Sequence, residues 1–173
     1  MTAPIGADAV LPEPPDKLSR LRLARLRLAA RGRLEVHGTV QVERGVRITV
    51  ARGAYVVLEH GSLLGERCRI EAAGGLVHVG PGVRIGARAV LAAHERVEIG
   101  AGAVIGEWAL VSDTEPTFAD PERPTRHQPL RTAGVHVGEH ARVGAHAAIL
   151  AGAAVPAGAV VGSYEERSSS ASP

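Results

Sequence analysis

Aliphatic residues return every six positions along most of this chain. From Val79 it reads VGPGVR, IGARAV and LAAHER and, after two further residues, IGAGAV and IGEWAL. Beyond a proline-rich stretch come VGEHAR, VGAHAA, ILAGAA and VPAGAV. Less regular turns precede these, VHGTVQ and VERGVR from Val36 and LEHGSL and LGERCR from Leu58. The first position is Val, Ile or Leu. The fifth is nearly always small, as at Val83, Ala89, Ala103, Ala109, Ala141, Ala147, Ala153 and Ala159. An amphipathic helix needs apolar spacing near 3.6, so a period of six excludes it. One six-residue unit holds a short strand and a tight corner. Three units close a triangular coil of about eighteen residues, and such coils stack into a solenoid. Each inward Val or Ile contributes roughly 1.5–3 kcal/mol on burial, but no coil covers its own faces, so stability comes from stacking.

The fourth position falls at the corner, where the backbone tends toward positive φ and Gly is favoured, with Asn, Asp and His next. Gly82, Gly102, Gly152 and Gly158 occupy it, and so do His94, His140 and His146. The pattern therefore gives these three histidines a conformational role. His37, His78 and His136 flank inward positions and should face solvent. Cys68 falls in the small fifth slot, which predicts a buried apolar filler.

Composition supports thin repeated layers. Aromatic residues are 2% of the 173, so the interior must be built from small and β-branched side chains. The net charge of +2 gives no strong overall field, and no nucleic-acid partner is expected. A single cysteine excludes an intramolecular disulfide and suits a reducing compartment. No apolar run approaches the ~20 residues of a membrane helix, and the first residues lack the basic-then-apolar order of a signal peptide. The expected location is cytoplasmic.

The ends differ from the middle. Residues 1–15, with Pro4, Pro12, Pro14 and Pro15, predict a disordered tail. DKLSRLRLARLRLAARGR, residues 16–33, reads as a basic amphipathic helix with Leu18, Leu21 and Leu28 on one face and Leu23 and Leu26 beside it. Its first expected role is to cap the open end of the solenoid. Weak contact with a membrane surface, or binding of a polyanion, is the second. The solenoid spans 34–162, and residues 163–173 read as a loose, solvated tail.

Within the solenoid the beat stops once, from Val111 to Arg131, over VSDTEPTFADPERPTRHQPLR. A protruding loop over 112–134 is expected, and a break of this length in a compact repeat is usually functional. The hexad pattern and the segment Gln128 to Val155 resemble the hexapeptide-repeat acyltransferases, closest to the maltose, galactoside and polysaccharide O-acetyltransferase-like group. The resemblance implies an all-β, left-handed parallel β-helix with an N-terminal capping helix and one protruding loop. It implies a homotrimer whose loop reaches the neighbouring subunit. It also implies transfer of an acyl group from acetyl-CoA or another acyl-CoA to a hydroxyl of a sugar or polysaccharide, with no metal. The metal-dependent γ-class carbonic anhydrases share the coil, but their histidine spacing is missing here.

Phe118, Asp120, Pro121, Pro124, Arg126, Gln128, Pro129, Leu130 and Arg131 match the family's loop surroundings, while its catalytic histidine is absent. Thr114, Glu115 or Pro116 stands in its place, depending on register. Glu115 and His127 are the candidate replacement bases. Asp113 would either orient an imidazole or close an Asx-type turn. Ala145 and Ser163 match positions that touch the pantetheine arm of coenzyme A in relatives. Trp108, at a corner just before the loop, would stack on a ligand or pack against the loop or a neighbouring subunit. The missing histidine keeps a second reading open: a catalytically degenerate trimeric scaffold or binding protein.

Overall fold

The computed structural model describes residues 16–116 and 130–169. Over them the chain is a left-handed parallel β-solenoid preceded by one helix. Three six-stranded parallel sheets form the faces of a triangular prism. The first face begins with Leu34–Val36, the second with Gln41–Val42 and the third with Arg47–Val50. Each coil adds one strand to each face. Val56, Val77, Val97 and Val135 stand in register down the first face. Leu64, Ile85, Ile105 and Val143 do so down the second, and Ile70, Leu91, Val111 and Ile149 down the third. All are buried, with the small fifth-slot residues between them. Cys68 belongs to this interior, and burial, with the Glu43 carboxylate adding to it, pushes its thiol up to about 12.

The coils are not uniform. Val143 pairs with Val161 at the expected eighteen residues, but Val56 pairs with Val77 and Val77 with Val97, so the earlier coils are longer. Four-residue strands such as Leu76–Val79 and Val90–Ala93, and wider bends at the third corner, take up the extra chain. This changes the reading of His94. His140 and His146 adopt positive φ at tight corners, as expected. His94 lies at a wide third-corner bend and is not among the positive-φ residues.

Down the second corner, non-glycine residues hold positive φ: Arg67, Arg88, Trp108, His146 and Tyr164. Each such residue costs roughly 1–2 kcal/mol. Their side chains recover part of that against one another. Trp108 and His146 stack at 6.0 Å with planes 8° apart, and His146 and Tyr164 at 4.9 Å and 3°. Arg88 lies 4.9 Å from the Trp108 ring centroid. Stacked pairs contribute about 0.5–1.5 kcal/mol. Trp108 thus packs along its own chain's edge.

The helix, Lys17–Ala29, starts at Asp16, whose carboxylate accepts the Ser19 N–H at 2.6 Å. Its inward face is not the one the leucine pattern suggested. Ser19 and Ala30 are buried, Leu23 and Leu26 pack on the core, and Leu18, Leu21 and Leu28 point outward. The docked face must satisfy the open edge of the first coil as well as cover apolar surface. Ser19 Oγ accepts the Val42 N–H at 2.7 Å, Arg22 donates to the Val42 carbonyl and Arg33 to the Val50 carbonyl. Side chains thereby stand in for the missing previous coil. At the other end the solenoid continues past Gly162, where a loose tail was expected. Glu166–Arg167 still pair with Ala148–Ile149 of the coil before them.

Coils approach so closely that glycine is required between some of them. A Cβ on Gly106 would stand 2.6 Å from both the Ala145 nitrogen and the Gly144 carbonyl carbon. Backbone cannot move aside as a side chain end can, so Gly106→Ala should destabilise the fold by about 1–3 kcal/mol. Thermal unfolding followed by circular dichroism checks this; an unchanged midpoint would contradict the coil spacing.

Candidate functional site

The chain leaves the prism at the third corner. Thr114–Pro116 and Leu130–Thr132 form an antiparallel stalk, pairing Thr114 with Thr132, Glu115 with Arg131 and Pro116 with Leu130. The Ala133 N–H donates to the Asp113 carbonyl at 2.9 Å and closes its base. His127 and most of the family-like loop residues lie outside the described residues.

Asp113, at the root of the stalk, is fully buried. Its carboxylate reaches the bend of the preceding coil instead of closing a turn of its own. It accepts the N–H groups of His94 at 2.9 and 3.0 Å, Glu95 at 2.6 Å and Arg96 at 2.8 Å. Of these amides, that of Arg96 corresponds to the Leu76 amide one coil earlier, which donates to the next coil's Glu95 carbonyl at 3.1 Å, so at Arg96 the carboxylate takes a coil carbonyl's place. The carboxylate also accepts the Thr114 hydroxyl proton at 3.0 Å. Four donors around one buried anion offset its desolvation.

The Thr114 hydroxyl connects Asp113 to an imidazole. Thr114 Oγ1 lies 3.0 Å from His94 Nδ1, while the direct Asp113–His94 distance is 3.9 Å. A hydroxyl has one proton; given to the Asp113 carboxylate, it leaves Thr114 Oγ1 only able to accept from His94. In that arrangement the proton of the neutral ring sits on Nδ1, and Nε2 keeps its lone pair. Among the described residues no partner engages Nε2, and the side chain is 49% exposed. An oriented imidazole with a free basic nitrogen is a competent general base. The hexad pattern concealed it, because His94 occupies a sequence slot that elsewhere holds corner residues. The displaced register after LAAHER was the available signal.

Glu115 is placed differently. Its carboxylate accepts from Arg131 Nη1 at 2.9 Å, and Arg131 Nη2 contacts Ser169 Oγ on the last coil. An oxygen held by a guanidinium is poorly available to an acceptor's proton. Ala145 and Ser163 stack at the second corner, where the Tyr164 N–H donates to the Ala145 carbonyl at 3.0 Å. That corner and the third bound opposite edges of the third face, so these two residues do not join His94 and Asp113 in one cluster. Nearby Glu165 accepts from Gly162 N–H and from Arg167, each at 2.6 Å, and the backbone bond first, then Arg167, hold its carboxyl below the usual carboxylate range.

No protein-family model matches the chain, and no curated sequence is detectably similar to it. Its fold is similar to that of AntD, an N-acyltransferase from Bacillus cereus. An aspartate-to-asparagine variant of AntD with dTDP and coenzyme A superimposes at TM-score 0.67 and 18% identity, over 90% of this chain and 81% of AntD. An aspartate-to-alanine variant with the same ligands gives 0.61 and 16%, over 87% and 78%. The complex with dTDP and 3-hydroxybutyryl-CoA gives 0.51 and 19%, over 87% and 78%. At these identities the likeness is one of fold.

Asp113→Asn puts an amide N–H₂ where either backbone amides or the Thr114 hydroxyl now donate. Charge-assisted bonds of this kind are worth about 1.5–3 kcal/mol each, so the variant should lose at least about 2 kcal/mol. Denaturant unfolding measures it, and a wild-type midpoint would show that the carboxylate does not hold the corner.

Proposed function

We propose that this chain transfers an acyl group from acetyl-CoA, or another acyl-CoA, to a hydroxyl of a sugar or polysaccharide, with His94 as general base. The single observation carrying the proposal is the Asp113–Thr114–His94 chain at the root of the loop, running from a buried carboxylate to a half-exposed imidazole. His94 Nε2 takes the acceptor's proton as its oxygen attacks the thioester carbonyl. A C–O bond forms and the carbonyl electrons move onto oxygen. The tetrahedral adduct then collapses, the C–S bond breaks, and the coenzyme A thiolate takes the proton from His94. Asp113 and Thr114 position the ring. Glu115 is assigned to the stalk through its pair with Arg131, and His127 is the competing base.

Donor and acceptor meet between subunits of a homotrimer in this proposal. The second-corner edge of one copy, with Ala145 and Ser163, lies along the acyl-CoA while the third corner of the next supplies His94. Pairing of Glu165 with Arg167 supports the donor's approach, because it leaves less uncompensated negative charge beside Ser163. AntD is an N-acyltransferase, so amino sugars belong beside hydroxyl acceptors in the assay.

Thiol release from acetyl-CoA, with a panel of sugar acceptors, tests the assignment. Loss of a general base costs about 10²–10⁴-fold, whereas alignment of the reactants, worth ~7–11 kcal/mol, survives. His94→Gln should therefore lower kcat by about that factor and leave KM for acetyl-CoA little changed. Loss of turnover in His127→Ala with His94→Gln unaffected would move the base into the loop. Undetectable turnover in the parent protein, with no thermal stabilisation by coenzyme A, would favour the scaffold reading.

A further inference from the structure

The helix that caps the solenoid has a second apolar face that no other described residue covers. Leu18, Leu21 and Leu28 are 58%, 50% and 82% exposed. Leu21 and Leu28 lie roughly 20° apart around the helix axis. Leu21 is two residues, roughly 200° of helical turn, from inward Leu23, and Leu28 is as far from inward Leu26. The outward leucines thus point away from the prism, beyond its first coil. They are not needed to hold the cap, which Ser19, Leu23, Leu26 and Ala30 already do.

The charge on this face is one-sided. Residues 17–33 contain seven cations and no Asp or Glu. Arg22 and Arg33 are directed to carbonyls of the first coil. Lys17, Arg20, Arg25, Arg27 and Arg31 are exposed and form no ion pair among the described residues. Leucines bordered by free cations exclude two simple occupants. A second copy docked by this face would bring like charges together. A purely ionic partner would leave the leucines in water. An anionic lipid surface satisfies both, with the leucines among the upper acyl chains and the long basic side chains reaching back to the headgroups.

We propose that this outward face docks the protein, by its N-terminal end, on membranes rich in anionic lipid. The contact is peripheral, since no helix among the described residues is long and apolar enough to cross a bilayer.

Co-sedimentation of the full chain with phosphatidylcholine vesicles, with and without phosphatidylglycerol, tests it. Binding should require phosphatidylglycerol, weaken with salt and fall at least about tenfold in Leu21→Ser/Leu28→Ser. Because both leucines are outside the docked face, that variant should keep the parent's melting temperature. Arg20→Gln/Arg25→Gln should lose binding with the leucines intact. Three results would overturn the proposal: no binding to either vesicle, binding unchanged by the leucine substitutions with equal capture by heparin, or a smaller assembly in the leucine variant. The second would make the helix a general polyanion site, and the third an interface between copies.

Discussion

Every coil of this protein is completed by its neighbour. A single turn of prism has too little interior to bury its own aliphatic side chains, and its strands carry N–H and C=O groups that only another coil can pair. Val56, Val77, Val97 and Val135 stack because the strands that carry them hydrogen-bond in register. The same dependence governs the corners, where the His146 N–H donates to Glu107 and the Tyr164 N–H to Ala145. Wherever the stack is interrupted, some other group must take the absent coil's place. Ser19, Arg22 and Arg33 do so at the first coil. Asp113 does so where the chain departs into the loop.

That need explains why a buried carboxylate stands at the root of the stalk. Leaving the prism deprives the Arg96 amide of the carbonyl that its counterpart Leu76 finds on the next coil, and the Asp113 carboxylate replaces it while also accepting the His94 and Glu95 amides of the bend. Once placed there it also orders Thr114 and, through Thr114, the His94 ring. On the proposed function, the group that repairs the break also fixes the proton acceptor, so structural and chemical roles would coincide in one residue. In the proposed reaction the loop histidine that the family resemblance implies is replaced from the coil beside the loop.

The sequence made the solenoid legible because its strongest signal, an aliphatic residue every six, is also its main source of stability. The inward positions Val79, Ile85, Ile99 and Ile105 are read correctly for that reason. Three features were not legible. His94 shares a sequence slot with His140 and His146, but longer coils place it on a wide bend, and coil length is a property of register rather than of the hexad itself. In the helix, leucines on several faces leave the phase ambiguous; the polar Ser19, which pairs with an open sheet edge, decides it. At the far end, Glu166 and Arg167 lack aliphatic character, yet backbone pairing with Ala148 and Ile149 keeps them in the prism. Trp108 illustrates the converse, an aromatic on a corner whose partners, His146 and Tyr164, lie remote in sequence and adjacent on the edge.

The proposed reaction depends on the proton between Thr114 and His94. The tautomer of His94 can be read from the nitrogen shifts of its ring in isotopically labelled protein, at a pH where the ring is neutral. The arrangement described here requires the proton on Nδ1, with Nε2 unprotonated, and loss of that preference in Thr114→Val. A ring protonated on Nε2, or an equal mixture of tautomers insensitive to Thr114→Val, would contradict it.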